Sequence, residues 1–173
     1  MYIRIFILSL TLLSAACGSD GFKGITPEQA VERIRSASSR ISQADVTFMS
    51  EGIHADVYYD AKGDWPADQV IFMETNELLK AAKDIAGREG ADNFSDLTWF
   101  LRLPSTNGGS DTALKLRYAR AQMPAVAKAM TNWELLNLAY DAQATGFGRP
   151  LVQAFCSDPG NLQNARPFCS RVQ

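Results

Sequence analysis

The sequence predicts an α+β domain: an antiparallel sheet covered on one face by helices. Three observations carry that prediction. A capped amphipathic stretch opens the ordered part of the chain. Two alternating apolar stretches flank a polar, glycine-containing turn near Asn107, the pattern of a β-hairpin over about 96–119. Ala- and Leu-rich stretches with helical spacing then close the chain. At 173 residues, 46% apolar and 21% charged, the chain suits one globular domain.

The first helix starts at Thr26-Pro27-Glu28-Gln29. Thr26 can cap, Pro27 suits the first turn, and Gln29 can complete a capping box. Ala30, Val31, Ile34, Ala37 and Ile41 then share one face, which extends the expected helix to about Ile41. One or two strands follow. Val46 and Phe48, then Ile53, Ala55, Val57 and Tyr59, alternate with polar neighbours, with a break near Gly52. The run Val70 to Met73 reads equally as strand or helix start, whereas Leu78, Leu79, Ala82 and Ile85 have helical spacing up to Gly87.

In the hairpin, Leu97, Trp99, Leu101 and Leu103 alternate with Thr98, Phe100 and Arg102, and Leu114, Leu116 and Tyr118 alternate with Lys115 and Arg117. Pro104 to Thr112 is the loop. A helical turn follows at Pro124. Thr131-x-x-Glu134 is a second capping signal, whose helix should run until Gly146 and Gly148, and a last short helix starts at Pro150.

Residues 1–16 belong to another class. Arg4 is their one charge, ahead of the apolar run Ile5–Leu13 and the small residues Ser14, Ala15 and Ala16. A positive start, a short apolar run and a small-residue exit describe a secretory signal. The run is shorter than the about 20 apolar residues of a membrane span. Its end, Leu13-Ser14-Ala15-Ala16-Cys17, resembles the lipobox of bacterial lipoproteins. The resemblance implies that the Cys17 thiol carries diacylglycerol, that the signal is cut before it, and that the new amine is acylated. Gly18 rather than aspartate follows, which in that family favours the outer membrane, facing the periplasm. Three acyl chains would hold the protein durably where one holds marginally. The expected organisation is then a signal peptide over 1–16, a lipidated cysteine and short tether over 17–25, and a globular domain over 26–173. The tether would reach about 15 Å.

The other two cysteines, Cys156 and Cys169, enclose a Pro-, Gly- and Asn-rich segment. In an oxidising compartment such a pair reads as a disulfide tying down the C-terminal tail. Zinc would want nearby histidine, and a redox pair would want C-x-x-C spacing.

A net charge of −2 and a pI near 5.4 give no basic footprint for nucleic acid. His54 is the single histidine; it shares an alternating strand face with Asp56, Tyr58 and Asp60. That face is either plain polar surface or the seat of acid–base chemistry. No G-x-S-x-G elbow, phosphate loop or dinucleotide fingerprint is present, so neither a cofactor nor a metal is expected. Trp65 stands among turn residues, where it either anchors a partner or folds back on the sheet. The exposed hairpin loop with Asn107, Gly108 and Gly109 is the other candidate for partner binding. Three functions remain: a lipid-anchored accessory domain binding an envelope protein (in a secretion, conjugation or pilus-type assembly), a small hydrolase centred on His54, or a carrier of an apolar ligand.

Overall fold

The computed structural model describes residues 21–172. The signal-like run 1–16 and Cys17 lie outside the described residues. Within them the chain folds into one α+β domain with a five-stranded sheet. The strands are β1 (Ile41–Met49), β2 (Gly52–Asp60), β3 (Phe94–Pro104), β4 (Ser110–Ala119) and β5 (Asp141–Ala144), side by side in chain order. Seven helices complete it: α1 (Pro27–Ser36), α2 (Val70–Gly87), α3 (Met123–Lys128), α4 (Asn132–Leu138), α5 (Arg149–Ser157), α6 (Pro159–Asn164) and α7 (Arg166–Arg171).

The sheet is mixed rather than wholly antiparallel. β1/β2, β3/β4 and β4/β5 run antiparallel, while β2 and β3 run parallel. The cause is α2. At 18 residues it is about 27 Å long, close to the length of the nine-residue β2, so it carries the chain back to the end where β2 began.

The hairpin expected over 96–119 is β3–β4, with Leu97 opposite Tyr118 and Trp99 opposite Leu116. Ile53, Ala55, Val57 and Tyr59 of β2 join Leu97, Trp99, Leu101, Leu114 and Leu116 on the buried face. There they share one core with Ile34 of α1, Ile71, Leu78 and Ile85 of α2, and Leu135 of α4. The Tyr118 hydroxyl, wholly buried, donates to the Leu135 carbonyl at 2.9 Å, and burial pushes its phenol pKa up, so it stays a neutral donor. Cys156 and Cys169 form a disulfide that joins α5 to α7, across 5.7 Å between their Cα atoms.

The capping box expected at Thr26 is complete, whereas at Thr131 only the threonine half forms, the Glu134 carboxylate accepting from the Met130 amide instead. Thr26 accepts from the Gln29 amide at 3.3 Å while Gln29 Oε1 accepts from the Thr26 amide at 2.9 Å. Thr131 accepts from the Glu134 amide at 3.2 Å. Helix lengths depart from the apolar spacing. α1 stops at Ser36, and its apolar continuation, Ile41, is the first residue of β1. α4 stops at Leu138, because Ala139 turns extended and leads into β5, a strand the pattern did not announce.

The packed chain also reaches back beyond Thr26. Phe22, within the expected tether of 17–25, is 2% exposed and meets Phe94 edge-on at 4.8 Å. Its amide donates to the Glu89 carbonyl just beyond α2. Two ends of the sheet follow from this. The proximal end holds Phe22, the β1–β2 turn, the end of α2 and the start of β3. The distal end, about 30 Å away along β2, holds the Lys62–Trp65 loop, the start of α2 and the β3–β4 turn.

Candidate functional site

The distal end is organised by Glu74. Its carboxylate is wholly buried. Arg40, just before β1, donates from Nη1 to Oε2 at 2.8 Å. The other oxygen accepts from three donors of the loop after β2: the Lys62 amide at 3.2 Å, the Gly63 amide at 3.4 Å and the Trp65 indole Nε1 at 3.1 Å. A buried carboxylate is stable only when charge and lone pairs are matched in this way. The Arg40 guanidinium also sits 5.9 Å from the Tyr59 ring centroid; burial pushes the Tyr59 phenol up, against the opposing pull of Arg40.

The indole hydrogen bond fixes Trp65 without burying it. The side chain remains 42% exposed, opposite Phe147 at 44%. The two rings flank a groove of about 320 Å³ whose walls include Lys62, Val70, Pro104 and Leu151. Phe147 is placed by Gly148, whose backbone lies so close to the Ala113 carbonyl that no Cβ would fit. Groove, indole and aromatic partner are therefore preformed by the fold, and the opening suits one or two side chains of a partner.

The other expected binding residues lie nearby but outside the groove. Asn107, Gly108 and Gly109 form the tip of the β3–β4 turn, closed by Ser105 N–H to the Gly109 carbonyl at 2.8 Å and Gly108 N–H to the Ser105 carbonyl at 3.1 Å. Pro104, at the root of that turn, touches the groove; the tip residues do not line it.

His54 lies on the open face of the sheet. Its Nδ1 is 2.9 Å from Asp96 Oδ1, and its Nε2 is 3.5 Å from Asp56 Oδ1. Arg117 approaches the other Asp96 oxygen at 3.6 Å. The rest of this face pairs with itself. Tyr58 and Phe100 stack at 4.7 Å, with Arg102 5.6 Å from the first ring and Lys115 5.4 Å from the second. Arg102 also donates to Asp60 at 2.7 Å. Both imidazole nitrogens face carboxylates, while the buried Arg117 Nε beside them has no hydrogen-bond partner, so this cluster is polar surface with one unpaired donor. No group of three or more His, Cys, Asp or Glu side chains among the described residues is arranged to hold a metal ion. No helix among them is long and apolar enough to cross a membrane.

Neither Glu74 nor a pairing of Trp65 with Phe147 is among the expectations from the sequence. The first had a signal: Glu74 falls between Ile71 and Leu78 on the apolar stripe of α2. The second had none, because 82 positions separate the two aromatics and only the fold joins them. Comparisons of the chain with protein-family models, with curated proteins and with solved structures find no match.

Proposed function

We propose that the protein is a lipid-anchored accessory domain that holds a protein partner in the groove between Trp65 and Phe147. The observation that carries this reading is the pair of half-exposed aromatic rings in one preformed groove, at the end of the sheet remote from Phe22. Exposed, immobilised aromatics are the residues on which partner affinity concentrates. The chain from Cys17 joins the domain at the opposite end. An acylated Cys17 would leave the groove facing away from the bilayer, toward an envelope protein of a secretion, conjugation or pilus-type assembly. The occupant is a protein segment that offers one or two apolar side chains. The groove is open to solvent rather than an enclosed apolar cavity, which favours this over the carrier reading.

The test has two arms. Cys17→Ala should release the protein from washed membranes; unchanged, detergent-dependent association would overturn the anchor. A photo-crosslinking residue at Leu151 should give one defined adduct in intact cells, and Trp65→Ala should abolish it while the protein stays membrane-bound. Absence of any adduct with the unsubstituted Trp65 would overturn the groove.

A further inference from the structure

The proximal end carries a second apolar exposure. Along the edge strand β1, the inward row Ala44, Val46, Phe48 becomes steadily less covered. Ala44 is 7% exposed, Val46 is partly covered and Phe48 is 43% exposed. Met49, at the end of the strand, is 46% exposed. Phe48 pairs with the core residue Ile53, so it extends the core face sideways onto the uncovered edge strand. With Phe22, Ile25 and Ile53, these side chains border a cleft of about 240 Å³ beside the incoming chain.

The turn that presents them is held firmly. Gly52 has φ +137°, a conformation that other residues rarely adopt, and a Cβ there would strike the Asn93 carbonyl and the Arg120 guanidinium. Arg120 in turn donates to the Glu51 carbonyl inside the turn. Two large, half-exposed apolar side chains are thus held at the end of a tight, braced hairpin.

The length of chain ahead of the domain supplies the occupant. Cys17 stands four residues before Gly21, a reach of at most about 14 Å. We infer that Phe48 and Met49 insert into the interfacial region of the same leaflet that holds the acyl chains of Cys17. The inference rests on the lipid-anchored reading. The charges around the tip are mixed, with Lys23 and Arg120 against Glu51 and Asp92. Contact is therefore driven by apolar burial and does not require anionic lipid. Anchor and tip together make two points of attachment. They set the strands upright on the bilayer and lift the Trp65 groove about 30 Å from it.

The experiment uses the full chain with its anchor, purified in detergent and reconstituted into phosphatidylethanolamine–phosphatidylglycerol vesicles that carry brominated acyl chains. Flotation of Phe48→Ser with Met49→Ser, Cys17 intact, reads the anchor by itself; a protein that does not float fails at that step, through Cys17. For floating protein, the added tryptophan of Phe48→Trp should be quenched at least about twofold more than that of Asn107→Trp. Equal quenching overturns the tip while leaving the anchor intact. In a Cys17→Ala background, Phe48→Ser with Met49→Ser should weaken vesicle partitioning about tenfold. Unchanged partitioning overturns the inference. So does an unquenched Phe48→Trp whose blue-shifted emission tracks a doubled mass by light scattering, because a second copy would then be what covers the tip.

Discussion

The two ends of the sheet both expose large apolar side chains, but they hold them by different physics. At the distal end Trp65 is tied by a hydrogen bond to a buried carboxylate that also binds Arg40 and two loop amides. At the proximal end Phe48 and Met49 have no polar handle and depend on the backbone geometry of Gly52. An indole oriented by a directional bond can select a shape, as a protein groove requires. Two aliphatic and aromatic tips without such bonds suit a partner that has no fixed shape, as a bilayer does. On the proposed reading similar exposure serves different partners, and the difference can be attacked from either end.

The most damaging change should be at Glu74. Glu74→Ala strands Arg40 and leaves the Lys62 amide, the Gly63 amide and the Trp65 indole without their acceptor. Breaking a buried, hydrogen-bonded charge pair costs about 3–5 kcal/mol. Urea denaturation should report that loss. Where the fold survives, hydrogen exchange should accelerate at Lys62 and Gly63 and leave Phe22 protected. Equal acceleration at both ends would mean that the ends are not held independently.

Next comes the disulfide. Replacing Cys156 and Cys169 with serine opens a loop with a sequence separation of 13, worth about 3 kcal/mol on the chain-entropy account. Because α5 carries Leu151 into the groove, partner binding should weaken along with stability. The proximal equivalent is Gly52→Ala. It forces a Cβ into a strained, crowded position and should cost about 2 kcal/mol, again read from denaturation midpoints. It should also lower vesicle partitioning without affecting capture at the groove. A smaller effect is expected from Trp65→Phe, which keeps a ring in the groove but loses the bond to Glu74. About 1 kcal/mol of stability should go. Affinity should fall further than ring size alone predicts, because the remaining ring is no longer oriented.

This division was only partly legible in the sequence. Alternation along Ile53–Tyr59 and Leu97–Leu103 sorted the buried face of the sheet from the open one, because one-sided burial imposes a period of two. The two threonine caps and the paired cysteines are local chemistry, readable at short range. What escaped was carried by distance or brevity. β5 is four residues with a single buried side chain, Ala142, too short to show a period. Phe22 lies between glycines, in a stretch that reads as linker until its ring meets Phe94 72 positions later. The parallel pairing of β2 with β3 depends on where α2 returns the chain, and a run such as Val70–Met73 does not by itself declare a helix. Of the residues expected to bind, Trp65 lies in the groove, whereas the Asn107–Gly109 tip stands beside it.

The smallest effect should come from His54, and it is the most decisive for function. His54 lies on the open face, away from the distal groove, and its contact with Asp96 at 2.9 Å is partly exposed. Such contacts contribute about 1 kcal/mol or less. Asp96 keeps Arg117 nearby when the imidazole is gone. His54→Ala should therefore leave the urea midpoint almost unmoved, with membrane association and capture at the groove unchanged. A hydrolase centred on this imidazole behaves differently: the same substitution would abolish turnover of an ester or glycoside substrate by the purified protein while the fold stayed intact. Loss of such an activity would move the working part of the molecule from the ends of the sheet to the middle of its open face. The two exposed aromatic ends would then be accessories to chemistry rather than the function itself.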